Sequence, residues 1–339
     1  MTSARAFWRI LLVTAVPLPL AGCNVGAGGG NAQSTAVSGH EGVGRPAPAP
    51  ARRGVAEIPG GQIAYQVCGD LKSGKTPLLI LHGSFMSGDT MRPFIDAFAA
   101  ERPVIAIDAR GHGRSGEFPG PISYELMADD AAAVLASLNV RQADVLGYSM
   151  GGTTALFMAV RHPERVGKQI ILAGTSRRDG WYPEVLQAIA QTSPAAFAGS
   201  SIEAEYQRLS PNPGQFAAFA QEVLDLEKAN YAVPDQAIRD IPGKTMIVVG
   251  DADGVQLDHA VALFRLRGGG DRQAAAQGFI AGSPRARLAI LPAISHIGLM
   301  GEAPRIAELA TPFLDDAAPP RATGFFEGAD VQQAAPANR

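Results

Sequence analysis

A Gly-x-Ser-x-Gly motif lies within Leu146-Gly147-Tyr148-Ser149-Met150-Gly151-Gly152, between a short apolar run and a helical pattern. Glycines two residues before and two residues after Ser149 allow a sharp turn from a strand into a helix. Such a turn raises the Ser149 hydroxyl above the sheet, and the first N–H groups of the helix point toward any negative oxygen beside it. The motif therefore predicts a nucleophilic serine at the end of a strand.

Other short apolar runs lie on both sides of this motif. Most are continuous, which is typical of strands covered on both faces and hence of a parallel sheet. Helical patterns separate them, and this alternation predicts an α/β fold with a mostly parallel central sheet and helices on both faces. The predicted strands are 62–67, 78–81, 104–107, 144–146, 169–172, 246–249 and 288–291, and the predicted helices are 91–100, 124–138, 150–161 and 255–266.

The interval 176–241 interrupts this alternation. It contains helical patterns and proline-containing turns such as Ser210-Pro211-Asn212-Pro213. We interpret it as a helical lid inserted into one sheet domain that spans 55–316.

A serine hydroxyl is a weak nucleophile until a neighbouring base takes its proton, so Ser149 requires a histidine and an orienting acid. His296 follows the last predicted strand and is the base that we expect. His259 falls within a predicted helix and is expected to be exposed. The remaining histidines precede Ser149 or lie at a helix end, at His40, His82, His112 and His162.

The orienting acid is expected directly after the strand 246–249. Two carboxylates follow that strand, Asp251 and Asp253. We choose Asp253, and Asp251 remains the alternative, since the sequence separates them weakly.

The order Ser149, Asp253, His296 resembles the α/β-hydrolase superfamily, and the resemblance extends over about 55–315. A carboxylate nucleophile would be needed for the dehalogenases and epoxide hydrolases of that superfamily, so Ser149 disfavours both. Three further segments carry the resemblance: Leu81-His82-Gly83-Ser84, Asp108-Ala109-Arg110-Gly111-His112-Gly113-Arg114-Ser115, and the turn from Gly250 to Asp253.

The resemblance also implies roles for other residues. The backbone N–H groups of Met150 and Ser84 would form the oxyanion hole, and His82, Asp108 and His112 would shape loops. A single glycine after His82 is typical of lid-bearing members. Candidate walls of the substrate pocket are Phe85, Met86, Trp181, Phe216 and Phe219, although core packing would explain these residues equally well.

These observations predict a serine hydrolase that cleaves small or medium neutral carboxylic esters through an acyl-enzyme, with no cofactor and no metal. The same three residues could instead serve C–C bond, lactone, amide or perhydrolase chemistry. A catalytically silent binding module is the alternative from another class of protein.

Composition excludes other partners. The chain has 339 residues and a formal net charge of −3, and no run of basic residues gives the electrostatic footprint of a nucleic-acid binder. Its two cysteines are too few for a disulfide framework or a thiolate zinc site. Cys68 lies in an apolar segment and is expected to be buried.

The first residues are typical of a secretory signal. Arg5 and Arg9 precede an apolar run over 10–20, which is about half of the ~20 residues that span a bilayer. The following Leu20-Ala21-Gly22-Cys23 resembles a bacterial lipobox. We expect a signal peptide at 1–22, a lipid on Cys23, a flexible tether over 23–54 and a loosely ordered tail at 317–339. The protein is thus expected in the bacterial cell envelope, anchored to a membrane that Asn24 suggests is the outer one.

Overall fold

The structure is a computed structural model that describes residues 51–318, except positions 117, 279 and 281. The predicted signal peptide, the Cys23 lipidation site and nearly all of the predicted tether lie outside the described residues, as does the tail from 319 onward. Those predictions therefore stay predictions.

An eight-stranded sheet forms the centre of the molecule, with strand order β1-β2-β4-β3-β5-β6-β7-β8. Strands β1 and β2 pair antiparallel with each other, and β2 pairs antiparallel with β4, whereas the other neighbours are parallel. The strands are β1 (Arg52–Ile58), β2 (Gly61–Cys68), β3 (Leu78–Leu81), β4 (Val104–Ile107), β5 (Ala143–Tyr148), β6 (Val166–Leu172), β7 (Thr245–Ala252) and β8 (Ala286–Ser295).

Helices cover this sheet. Every residue of β3 and β4 is buried, so both faces of the sheet are covered there. The predicted α/β fold with a mostly parallel sheet is therefore confirmed. The helices are α1 (Arg92–Ala99), α2 (Tyr124–Ser137), α3 (Met150–Arg161), α4 (Pro183–Gln191), α5 (Ser201–Leu209), α6 (Phe216–Lys228), α7 (Asp235–Asp240), α8 (Leu257–Leu266), α9 (Arg272–Gln277) and α10 (Ala303–Leu314).

Helices α4 to α7 all lie between β6 and β7, in the interval where the sequence predicts a lid. We call the segment from the end of β6 to the start of β7 the lid. Helix α1 packs against α10, and α2 packs against α3. Within the described residues, none of the helices has both the length and the apolar character that crossing a bilayer requires.

Two local features of the structure concern Ser123 and Cys68. Ser123 caps α2, since its side chain accepts a hydrogen bond from the Leu126 N–H at 3.2 Å. Cys68 is buried at the end of β2, and burial raises the pKa of its thiol.

Strand β1 is a difference from the sequence interpretation, which ended the tether at residue 54. The strand begins at Arg52, and it pairs with β2 from Arg52 opposite Val67 to Ile58 opposite Gly61. Of its seven residues only Ala56 is buried. An edge strand this exposed has no clear alternation of apolar and polar residues, which explains why the sequence pattern does not reveal it.

Candidate active site

Ser149 lies in the tight turn between β5 and α3, with φ at +55°. This left-handed backbone conformation is uncommon for a residue with a side chain. Glycines make the turn possible: a Cβ on Gly147 would overlap the carbonyl of Gly151, and a Cβ on Gly151 would overlap the carbonyl of Leu81. The sequence motif therefore corresponds to a steric requirement at both of its glycines.

The structure brings Ser149, His296 and Asp253 together at the carboxyl ends of three strands. His296 Nε2 lies 3.0 Å from Ser149 Oγ, and His296 Nδ1 lies 2.8 Å from Asp253 Oδ1. If Nδ1–H donates to Asp253, Nε2 is left to accept the Ser149 hydroxyl proton. The arrangement can thus withdraw a proton from the serine and hold the imidazole in one tautomer.

The His296 ring is held from two sides. Tyr148 stacks on it with ring centroids 5.2 Å apart, and Trp181 of the lid contacts it edge-on, also at 5.2 Å. The Tyr148 hydroxyl donates to the backbone carbonyl of His296 at 3.0 Å. The imidazole position is therefore set by both the sheet and the lid.

The two candidate acids differ in their surroundings. The Asp253 side chain is fully buried, and its Oδ1 also accepts the Val255 N–H at 3.0 Å. Asp251 is exposed, and its Oδ1 accepts the N–H of Ile294 at 3.3 Å. The structure thus brings Asp253, rather than Asp251, next to the imidazole.

Met150 and Ser84, the implied oxyanion donors, follow the carboxyl ends of two strands that are neighbours in the sheet. Met150 is the first residue of α3, and the first N–H groups of a helix have no partner within it. Ser84 follows β3, which neighbours β5 in the sheet, and it lines the same cavity as Ser149. The next residue, Phe85, has a positive φ of 61°, so the chain turns sharply after Ser84.

His82 and His112 are buried beside the site, with ring centroids 5.1 Å apart. The Ala109 N–H donates to His82 Nε2 at 2.9 Å, which leaves His82 Nδ1–H to donate to the Gly83 carbonyl. Burial lowers the pKa of His112 to about 3. Both rings are therefore neutral, and His82 connects its own loop to the loop at Ala109.

Asp108 has a similar position between loops. Its two carboxylate oxygens accept the N–H groups of Gly88, at 2.6 Å, and Arg114, at 2.7 Å. These contacts agree with the loop-shaping role that the family resemblance implies for Asp108.

His259 is buried, so the expectation that it is exposed is wrong. Its Nε2 accepts the Ser176 N–H at 3.0 Å, and a Cβ on Gly180 would overlap its ring. Burial lowers its pKa to about 4. The helix face that carries His259 packs against the start of the lid, a contact that the helical pattern alone does not contain.

A cavity of about 540 Å³ opens above Ser149 and His296. Phe85, Met86 and Trp181 line it, as expected, whereas Phe216 and Phe219 do not. Those two phenylalanines are buried and pack against Tyr206, with ring centroids 5.6 and 4.6 Å from it. Further apolar walls come from the lid, at Val185, Ile189, Ile202 and Leu224.

The charged groups of the cavity are all acidic. Among the described residues that line it are the carboxyls of Asp253, Glu184 and Glu227, and no lysine or arginine. The sequence analysis missed Glu227, because a single acid on an amphipathic lid helix gives no signal of its own. Burial raises the pKa of Glu227 above its usual value, although a hydrogen bond from Ser84 and the nearby His296 and Arg178 act in the opposite direction.

Potential metal ligands are not clustered. In the part of the chain that the structure describes, no three or more His, Cys, Asp or Glu side chains are grouped so that they could hold a metal ion.

The amino-acid sequence matches the model of one known family. Residues 76–258, over half of the chain, match the family model for the alpha/beta hydrolase fold. The protein belongs to the α/β-hydrolase family.

Relatives within that family are hydrolases of different bonds. A 2-hydroxymuconate semialdehyde hydrolase of Pseudomonas sp. (strain CF600) is 31% identical over 202 residues, which are 53% of this chain and 71% of that protein. The putative carbamate hydrolase RutD of Caulobacter segnis is 36% identical over 119 residues, 34% of this chain and 45% of RutD. The chain thus spans less than half the length of this RutD protein.

Solved structures share the fold. The meta-cleavage product hydrolase CumD of Pseudomonas fluorescens IP01 superposes with a TM-score of 0.60 at 20% identity, over 78% of this chain and 98% of CumD. At 20% identity this likeness shows the fold alone, and the two relatives named above act on different bonds.

Proposed function

We propose that this protein is a serine hydrolase that cleaves carboxylic esters through an acyl-enzyme on Ser149. The observation that carries the proposal is the line of hydrogen bonds from Ser149 through His296 to the buried Asp253, beneath an apolar cavity. A catalytically silent binding module has no need of this alignment.

In the first half of the reaction Ser149 Oγ attacks the ester carbonyl while His296 Nε2 takes its proton. Asp253 holds the imidazole tautomer and stabilises the imidazolium. The N–H groups of Met150 and Ser84 bind the oxyanion, and one such donor is typically worth about 2.7–4 kcal/mol in the transition state. His296 then gives the proton to the departing alcohol.

In the second half the acyl-enzyme is hydrolysed. His296 removes a proton from water, the resulting hydroxide attacks the acyl carbonyl, and Ser149 leaves with the proton returned by His296. The carboxylic acid is released and the free enzyme is restored. The cycle needs only the ester, water and these groups.

The acidic side chains of the cavity favour an ester that carries no negative charge over the anionic substrate of the C–C bond alternative. The name of the 2-hydroxymuconate semialdehyde hydrolase denotes a substrate with a carboxylate. In this chain the described lining offers that carboxylate the acids Asp253, Glu184 and Glu227 and no lysine or arginine. Bringing a charge from water into such a site without a partner is costly. C–C bond, lactone, amide and perhydrolase chemistry remain the alternatives for the same three residues.

Labelling with a fluorophosphonate probe tests the nucleophile. We expect the wild type and Ser137→Ala to be labelled and Ser149→Ala not to be, because Ser137 is an exposed serine at the end of α2. An unlabelled wild type, or a labelled Ser149→Ala, would overturn the proposal.

A substrate panel tests the bond that is cleaved. We expect a higher kcat/KM for p-nitrophenyl butanoate than for a lactone, an amide or 2-hydroxymuconate semialdehyde of similar size. A higher value for one of the other three would assign the same residues to that chemistry and contradict the ester proposal.

We also propose that a lipid on Cys23 anchors the protein to a membrane of the bacterial cell envelope. The support is the pattern of Arg5, Arg9 and the Leu20-Ala21-Gly22-Cys23 sequence. Growth with an alkynyl fatty acid should label the wild type and Cys68→Ala but not Cys23→Ala, and Cys23→Ala should leave the membrane fraction. A Cys23→Ala protein that stays with membranes would contradict the anchor.

A further inference from the structure

Glu227 is a carboxyl in the cavity that the proposed mechanism does not use. It belongs to helix α6 of the lid and is partly buried among the cavity walls. Its Oε1 accepts a hydrogen bond from the Ser84 hydroxyl. The Ser84 N–H is a proposed oxyanion donor. Because the side chain of the same residue contacts Glu227, the Glu227 carboxyl lies near the position of the reacting carbonyl.

The carboxyl has unused capacity to accept hydrogen bonds. A carboxylate can accept about four. Within the described residues, the Ser84 hydroxyl is the hydrogen-bond donor recorded for Glu227, and it occupies one position on Oε1. Oε2 is therefore available to a donor that enters the cavity.

The charges around Glu227 favour a cation as that donor. The described cavity lining holds Glu184 and Asp253 besides Glu227 and no lysine or arginine, and Arg178, which is near enough to lower the pKa of Glu227, is not one of the lining residues. A cation that leaves water needs a charged partner in an apolar cavity, and hydrogen bonds between ionised groups are about twice as strong as neutral ones.

We propose that Glu227 binds a protonated amine of the substrate, so that esters with an ammonium group a few bonds from the scissile carbonyl are preferred. The inference rests on the proposed ester hydrolysis and names its substrate class. The ammonium donates to Oε2 while Ser84 keeps its bond to Oε1, and the ion pair holds the ester carbonyl beside Ser149. Glu227 is thus a specificity-determining residue of the lid.

Two pairs of esters of equal shape test this proposal. Dimethylaminoethyl butanoate and isopentyl butanoate differ by an ammonium in the alcohol part, and methyl dimethylaminobutanoate and methyl methylhexanoate differ by an ammonium in the acyl part. We expect the wild type to have a higher kcat/KM for the ammonium member of at least one pair. In Glu227→Gln that preference should fall by about ten-fold or more, the factor expected for a lost hydrogen bond to a charged group.

Asp225→Asn is the matched control. Asp225 is an exposed acid of the same helix, and its side chain accepts a hydrogen bond from Gln221 at 2.7 Å. The variant removes one negative charge from the lid outside the cavity, so its preference should equal that of the wild type. An equal loss in both variants would assign the effect to the overall charge and overturn the proposal.

A purely positioning role predicts a different result. If Glu227 only holds the loop through Ser84, both Glu227→Gln and Ser84→Ala would lower kcat/KM equally for the charged and the neutral ester of a pair, which overturns the proposal. The wild type also decides by itself, should Glu227→Gln fail to fold: equal or lower kcat/KM for both ammonium esters overturns it. A wild type that hydrolyses none of the four esters contradicts the ester function instead.

Discussion

The two walls of the cavity are built differently. On the sheet side, Ser149, Asp253 and His296 meet through hydrogen bonds of 2.8 and 3.0 Å at the ends of β5, β7 and β8. On the lid side the contacts are mostly apolar, and Glu227 is a charged exception. In the proposed mechanism the short hydrogen bonds of the sheet side carry out the reaction, whereas the lid side determines which substrate binds. Substitutions on the two sides should therefore differ in kind as well as in size.

The largest effect is expected for His296→Ala. Without the base, kcat for p-nitrophenyl butanoate should fall by about ten-thousand-fold or more, since removing one member of such a triad costs nearly as much as removing all. His162→Ala, at a partly exposed histidine paired with Asp129, should keep the wild-type rate within about two-fold. An active His296→Ala would show that the base lies elsewhere.

The next largest effect is expected to distinguish the two candidate acids, which are two residues apart. Asp253→Asn should lower kcat by about a thousand-fold or more because it favours the wrong imidazole tautomer. Asp251→Asn removes an exposed carboxylate and should retain most of the activity. The same kinetic assay with both proteins decides, and the reverse ranking would make Asp251 the orienting acid.

A smaller effect is expected on stability. It arises where the lid packs on the rest of the domain and His259 accepts the Ser176 N–H. Its pKa is about 4 in the folded protein, against about 6.5 when unfolded, so between these values the unfolded chain binds the extra proton. The free energy of unfolding should therefore fall as the pH drops below about 6.5, with about 2 kcal/mol lost from this residue at pH 5.

Urea denaturation at neutral pH and at about pH 5 measures this loss. His259→Gln should reduce the difference between the two conditions. An unchanged difference in His259→Gln would mean that the ring does not titrate as its burial implies. The buried His82 and His112, whose pKa values are also lowered, should contribute a loss of the same sign.

The smallest effect is expected from an apolar wall of the lid. Ile189→Trp enlarges a side chain that lines the cavity, so it should shift the preferred acyl chain of p-nitrophenyl esters to a shorter length. The change in the ratio of kcat/KM for long and short chains should be about ten-fold, as for a few methylene groups. Equal losses for all chain lengths would indicate damage to the sheet side instead.

The sequence predicted the sheet-side geometry well because the positions of strand ends follow from the topology of a parallel sheet. Parallel strands place their carboxyl ends at one edge of the sheet, so residues just after separate apolar runs meet there. Ser149, Asp253 and His296 each follow such a run, and the steric demands at Gly147 and Gly151 are written as a motif. The fold and the candidate serine and histidine could therefore be predicted from local patterns of sequence.

No comparable regularity predicts which way the side chains of the lid face. Whether Glu227 faces the cavity, or Phe219 the core, depends on how short helices pack on one another. His259 is buried for the same reason, because the chain at Ser176 and Gly180 covers its ring. The choice between Asp251 and Asp253 likewise rests on burial and on one N–H, from Val255, which spacing does not encode.

The exposed strand β1 also determines how the domain is connected to what precedes it. Arg52 is opposite Val67, which in turn is opposite Ile105 near the start of β4, so the chain enters at the base of the sheet. The cavity lies over the opposite, carboxyl end of the strands. If the residues before Arg52 carry the proposed anchor, the cavity opening lies on the side of the domain opposite the point of attachment. Substrate could then arrive from solution, and cutting the anchor should leave the turnover of a soluble ester unchanged.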